Sequence, residues 1–431
     1  MAQEPDSAAV GDGEPRPAAP RFAALAIGLA AAFQLGGYEC VRSSANTLFK
    51  QAYGTEGLPY IMAAVPLALL AVLYGYGRLL SRLRPRRTLF VTSLLSALAI
   101  IACYRGIQAG WAPARGALYL VREVYIVLLI EQYWSFLNSR LGMKVAKQLN
   151  GPICGLGSLG AFLGGWAVEE YSQVLGTAAL PLFGALAMLP AAFLSDWAYA
   201  RCGEPSPAED GAAPVETDSL GVKLFRRHKT LLFLLVVILA TQAVSTMLDL
   251  AFQGELQRAI PDPEAQNAWS GRVYKWLSLA AAFSQFVLCP LLVSFLPLWL
   301  IHALIPVGNA LACGVLAAHG SLGTAVAAYL FFKTMDYSLF RAAKEVLYIP
   351  FSFDVRYRAK ELIDAWGYRF GKGGASLAIA FLQSLKVSVT ISLLATVGVA
   401  SAGVWLAFIL PVCRAHAAGK GAPARAPGQA T

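Results

Sequence analysis

The sequence predicts an all-α polytopic membrane protein of about twelve transmembrane helices in two six-helix bundles, on three observations. Of its 431 residues, 57% are hydrophobic and only 14% charged, where an ordinary soluble domain has about a quarter charged. Apolar stretches near the roughly 20 residues needed to cross a hydrocarbon core of about 30 Å recur almost end to end. One long polar stretch, from Arg201 to Lys229, separates them into two sets. The pattern shows no period-two alternation, so an outer-membrane barrel is excluded.

Taken in order, the first set of apolar segments lies at 22–38, 58–77, 88–107, 116–138, 152–170 and 174–199. The second set lies at 230–253, 271–294, 297–318, 322–345, 361–386 and 388–412. The domain reading is a cytoplasmic tail at 1–21, a bundle at 22–200, a linker at 201–229, a bundle at 230–413 and a tail at 414–431. Neither tail has the composition of a packed segment, and the first lacks the basic, apolar, small-residue order of a signal peptide. Two six-helix bundles joined by a polar linker is the layout of the major facilitator architecture, whose substrate sits near mid-membrane between the halves.

The formal net charge of +10 raises nucleic-acid binding as a possibility, but the bases fall in short segments between apolar spans and form no soluble face. Arg78, Arg82, Arg84, Arg86 and Arg87 follow the second span, Arg140, Lys144 and Lys147 the fourth, Arg226, Arg227 and Lys229 the sixth, and Arg356, Arg358 and Lys360 the tenth. Odd-numbered connections hold few bases, such as Lys50, Arg115 and Arg258, and more acids, such as Glu56, Glu169, Glu170, Asp262 and Glu264. By the positive-inside rule both termini are cytoplasmic, and the expected location is a bacterial inner membrane. The seven cysteines and four histidines occur singly, without metal-ligand spacing, so no metal, cofactor or disulfide framework is read.

Two glycine motifs are decoys. Gly155-Leu156-Gly157-Ser158-Leu159-Gly160 satisfies GxGxxG but no strand precedes it. Gly160 and Gly164 at GxxxG spacing read better as a close-packing helix face, within a bundle or between copies. Gly371-Lys372-Gly373 lacks the glycine spacing and the hydroxyl residue of a phosphate loop.

Ionisable residues inside the spans are the informative ones, since each costs roughly 2.5–3.5 kcal/mol near a helix centre. They are Glu39 and Arg42 at the end of the first span, Arg122, Glu123 and Glu131 in the fourth, Asp249 in the seventh with Glu255 near its end, and Lys333, Asp336, Arg341, Lys344, Glu345, Asp364, Arg369 and Lys372 in the tenth and eleventh. Tyr119 with Glu123, and Asp249 with Gln253, share helix faces one turn apart. Such charges either pair to fix helix packing, as Arg42 with Glu123, or line a polar route. So many at depth point to the route. The excess of Arg42, Arg122, Lys333, Lys344, Arg369 and Lys372 suits a small anionic substrate, because these side chains only donate hydrogen bonds.

The run Asp336 to Pro350 (DYSLFRAAKEVLYIP), then Arg358-Ala359-Lys360, Ile363-Asp364, Gly367, Arg369, Gly371-Lys372, Gly374 and Ser376-Leu377, resembles the signature of the nucleotide transporter family, the ATP/ADP exchangers of plastids and intracellular bacteria. Val41-Arg42, Thr47-Leu48, Glu123, Trp134, Phe136, Asn138, Ala146-Lys147 and Asp249 through Pro261-Asp262-Pro263 echo it elsewhere. The resemblance implies a major-facilitator-like fold and nucleotide exchange or proton-coupled import. The family's first-helix pattern Arg-Asp-Thr-Lys-Asp stands here as Arg42-Ser43-Ser44-Ala45-Asn46, and its helix-seven glutamate and lysine as Asp249 and Gln253. The basic run Gly77 to Arg87 also resembles the major facilitator loop between helices two and three, with Ser81 at the usual acidic position.

The expected substrate-binding set is Arg42, Glu123, Asp249 and Lys372, with Arg42 and Lys372 holding phosphate or carboxylate and Glu123 and Asp249 coupling or gating. Further gating or coupling falls to Glu131, Asp336, Lys344 and Glu345. The function expected is secondary transport of ATP/ADP or a related organic anion, with no catalytic residues, no cofactor and no nucleic-acid partner. A proton-coupled carrier of a non-nucleotide solute, or a sensor or assembly protein on the same scaffold, stays open. His228, His302, His319 and His416 are too scattered for a lipid-modifying enzyme. Oligomeric state is left open.

Overall fold

The computed structural model describes residues 19–140, 143–204, 229–348, 363 and 366–421, which are helical apart from short turns. The bases Arg226, Arg227, Arg356, Arg358 and Lys360, together with Asp364, lie outside the described residues.

Helix α1 (Ala19–Tyr53) is 35 residues long, or about 52 Å at 1.5 Å per residue. With proline tolerated in a first turn and alanines flanking it, α1 starts inside the stretch expected as a tail. It also continues through Lys50, where the sequence reading placed a connection. Helix α2 (Leu58–Gln108) corrects the expectation of two segments separated by a basic loop. The run Arg78–Arg87 is helical, broken only where Arg84 takes φ 62° ahead of Pro85. Proline disfavours the α conformation in the residue before it and cannot donate to the helix, so the bend falls there. Helices α3 (Pro113–Arg140), α4 (Met143–Leu175) and α5 (Pro181–Cys202) complete the first half.

In the second half, α6 (Lys229–Ala259) is followed by α7 (Pro263–Phe283), which runs through a π-helical turn, Ser284–Leu288, into α8 (Cys289–Phe295). Helix α9 (Leu298–His319) precedes α10 (Leu322–Met335), which passes through a second π turn, Asp336–Phe340, into α11 (Arg341–Leu347). The two π turns touch, Ser284 and Ser338 sharing a 2.7 Å hydroxyl hydrogen bond. Helices α12 (Tyr368–Ser384) and α13 (Ile391–Gly421) end the fold, α13 passing the expected boundary at residue 413 through an alanine-rich run. Among the described residues, eight helices are long and apolar enough to cross a membrane. With its apolar composition, the chain is an integral membrane protein.

Two large apolar cores form among the described residues, one from α1 to α5 and one from α6 to α13, the second also receiving Phe49, Leu58, Met62 and Tyr119 from the first half, and a small cluster of Cys40, Val168 and Leu180 lies apart. Small residues set the spacing. A Cβ on Gly160 would lie 2.0 Å from the Ala32 carbonyl oxygen, and one on Gly164 2.1 Å from that of Gly36, so α1 and α4 meet backbone to backbone. The GxxxG face is therefore spent within this half. Gly165 and Gly271 make the matching approach between α4 and α7, across the two halves.

Gly164→Ala should force α1 from α4 at a cost of about 1–3 kcal/mol, seen as a lower unfolding midpoint in detergent. Gly314→Ala, where a Cβ meets nothing within 4 Å, should keep or raise the midpoint, because alanine favours helix.

Candidate functional site

The halves are joined at one end and parted by a cavity at the other. At the joined end Glu169 on α4 bonds Arg272 at 2.7 Å and also Lys275, both on α7. Asn267 of α7 donates to Ser172 Oγ at 3.0 Å and Ser44 Oγ at 3.3 Å, and Thr177 donates to the Pro263 carbonyl at 3.3 Å. Tyr60 on α2 donates to the Ala380 carbonyl on α12 at 3.2 Å.

The cavity, about 1130 Å³, follows α3 from Tyr119 past Glu123 and Glu131 to Trp134. Its facing wall brings Tyr337, Arg341, Lys344, Glu345, Arg369 and Lys372 from the π turn, α11 and α12. A side lobe of about 610 Å³ shares Glu123, Glu131, Arg341 and Arg369 and adds Glu39 and Arg42 of α1. Hence residues hundreds of positions apart in sequence share one space, because each sits on the inward face of its helix.

Most of the expected set is there. Asp249 on α6 meets Lys372 on α12 at 3.6 Å, both partly buried. Glu123 is paired with its neighbour Arg122 at 2.9 Å. Arg42 pairs with Glu39 one turn earlier at 2.6 Å, not with Glu123, because an i,i+3 partner on its own helix is nearer. Its guanidinium lies 3.5 Å from the centre of the Tyr274 ring, as Arg122 lies 3.9 Å from Tyr119, contacts that suit a cation taken out of water. Lys344 is buried on the cavity wall, 5.1 Å from the Tyr368 ring, with Glu345 beside it.

Three expected members are elsewhere. Asp336 is buried at the start of the second π turn and off the cavity wall, while the next two residues, Tyr337 and Ser338, line it. Lys333 donates to Ser245 on α6 at 2.9 Å amid the Tyr329, Phe332 and Tyr337 rings. Arg122 stands behind the wall, donating to the Arg42 carbonyl at 3.0 Å and Asn46 Oδ1 at 2.8 Å. Asp249 and Gln253 do share a face of α6, but they have different neighbours. Gln253 meets Lys50 of α1 at 2.8 Å and Tyr274 of α7 at 3.2 Å.

Lys50 is the residue the sequence reading missed, since it was counted as a connecting-loop base. Its signal was spacing, because it follows Arg42 and Asn46 at intervals of four. Among the described residues no group of three or more His, Cys, Asp or Glu side chains is placed to hold a metal ion.

Residues 217–415 match the family model described as TLC ATP/ADP transporter. The ADP,ATP carrier protein 1 of Chlamydia muridarum is 26% identical over 377 residues, covering 77% of this chain and 69% of the relative. That of Chlamydia trachomatis is 26% identical over 301 residues, 60% of this chain and 57% of the relative. Among solved structures, a variant of the nucleoside transporter NupG superposes with a TM-score of 0.68 at 13% identity, covering 92% of this chain and 99% of its own. A D-xylose-proton symporter superposes with 0.65 at 12%, covering 89% and 97%. A bacterial homologue of the iron transporter ferroportin, inward-facing, gives 0.65 at 13%, covering 91% and 98%. At such identities the likeness is one of fold, that of membrane transporters. Over residues 217–415 and at 26% identity to the two Chlamydia proteins, the chain is thus similar to ATP/ADP carriers.

Proposed function

We propose that the chain is a secondary transporter that exchanges a nucleotide, with ATP and ADP the first candidates, or a related organic anion by alternating access. The observation that carries this reading is a cavity between two halves whose charged lining, Glu123, Lys372 and the Asp249 beside it, falls on the positions that match the family. The names of the Chlamydia relatives support ATP and ADP as substrates. Lys372 and Arg42 hold the phosphate or carboxylate, Glu123 and Asp249 couple or gate, and Glu131, Lys344 and Glu345 serve the cavity mouth.

Twelve crossings in two bundles, 22–200 and 230–413, fit the helices if α2 spans twice. At 51 residues it is about 77 Å long, more than twice a hydrocarbon core of about 30 Å, and it bends at Arg84. With Arg78 to Arg87 on the cytoplasmic side of an inner membrane, both termini are cytoplasmic. The joined end is then external and the cavity faces inward. A less charged anion is the second reading, favoured by the neutral Ala45 and Gln253 where the family has lysines.

In liposomes loaded with unlabelled ATP, labelled ATP or ADP uptake should be saturable and dependent on the internal nucleotide. Lys372→Ala should lower it at least about ten-fold, the worth of one charge-assisted bond. Uptake and pH dependence kept in Glu123→Gln and Asp249→Asn would remove those residues from coupling.

Glu169→Gln should loosen the joined end by about 1 kcal/mol, a shift of about five-fold toward the open form. Distances between labels at Val174 and Arg258, both exposed at that end, would show it as a larger long-distance population.

A further inference from the structure

One buried side chain at the joined end is not explained by packing or sealing. Arg42, Asn46 and Lys50 lie on one stripe of α1, about 12 Å from first to last. Asn46, in the middle, accepts from Arg122 at 2.8 Å and donates to Tyr274 Oη at 3.3 Å. On one side of it Arg42 lines the cavity's side lobe. On the other, Lys50 is 2% exposed and donates to Gln253 Oε1 at 2.8 Å and to the Gln253 carbonyl at 3.5 Å. Gln253 in turn donates to Tyr274 Oη at 3.2 Å, so the network ties α1 and α3 to α6 and α7.

Lys50 has only neutral hydrogen-bond partners among the described residues, and the carboxylate whose charge reaches it, that of Asp249, lies beyond ion-pair distance. Asp249, a turn before Gln253, is held by Lys372. Burying an amine against neutral oxygens is costly whether it keeps its proton or releases it. A glutamine or methionine would close the same seam at lower cost. The charge therefore has its use in a state where the seam is open.

We propose that Lys50 is an anion-binding residue of the transport path, presented to the joined side when α1 parts from α6 and α7, as Arg42 is presented to the cavity now. Helix α1 then carries two cationic half-sites, eight residues apart, exposed alternately. This inference rests on the anion-exchange reading.

Oriented proteoliposomes test it. Lys50→Cys should react with a membrane-impermeant anionic thiol reagent from the joined face only, and Arg42→Cys from the cavity face only, each above the labelling of the parent chain. Reaction of Lys50→Cys from the cavity face, or from neither, overturns the proposal. In labelled-ATP uptake, Lys50→Gln should raise the apparent KM at the joined face at least about ten-fold. It should leave the cavity-face KM within about two-fold, and Lys50→Arg should restore most of the loss. Equal change on both faces, or no difference between Gln and Arg, also overturns it. Lys50→Met should unfold no lower than the parent, whereas a purely structural lysine predicts a lower midpoint. If the parent carries no ATP, the nucleotide reading fails, and the labelling still decides whether position 50 opens to the joined face, which the proposal requires.

Discussion

Charge held at membrane depth has to be compensated within the protein, and the arrangement of the helices around the cavity follows from that constraint. Glu39 with Arg42, Glu123 with Arg122 and Asp249 with Lys372 are three such compensations. The first two are local, within a helix, and keep their charges together whatever the halves do. The third joins two helices of the second half, α6 and α12, next to the cavity. An anion bound at Lys372, as proposed, would have Asp249 as its competitor, so that binding and rearrangement of the pair would be linked. Aromatic rings do the rest, Tyr274 under Arg42 and Tyr119 under Arg122, giving each guanidinium an attractive face in place of water.

The same helices must approach closely enough for short side chains to meet. Gly160, Gly164 and Gly36 bring α1 and α4 together, and Gly165 with Gly271 brings α4 to α7. That second approach sets Glu169 within reach of Arg272 and Lys275 and Ser172 within reach of Asn267. Without a side chain at those glycines the polar contacts of the joined end form directly. With one they would be held apart.

Fold class was legible because hydropathy is a linear signal: a span is a run of neighbours, and the runs matched helices in nearly every case. The glycine face was legible for the same reason, as spacing along one helix. What failed were judgements that need the third dimension. Lys50 looked like a loop base because it stands at the end of an apolar run, yet α1 continues past it and buries it against the other half. Asp336 looked like its neighbours in the signature, but the π turn that starts there leaves it off the cavity wall and presents Tyr337 and Ser338. Ala45, which the resemblance aligns with a lysine, is packed into the core of the first half, on a different face of α1 from Arg42 and Lys50.

The bend in α2 and the charges carried by several helices account for the difference between eight membrane-competent helices and the twelve spans expected from sequence. A length-and-apolarity criterion takes α2 as one helix despite its bend, and it passes over α3, α10 and α12. Helix α3 is long enough but holds Arg115, Arg122, Glu123 and Glu131; α10, continued through its π turn into α11, is long enough but holds Lys333, Asp336, Arg341, Lys344 and Glu345; α12 has 17 residues. The helices that fail are those that supply Glu123, Lys333 and Lys372. Ionisable side chains lower the apolarity of the spans that hold them, so the least membrane-like helices here include α3 and α12, whose Glu123 and Lys372 line the cavity.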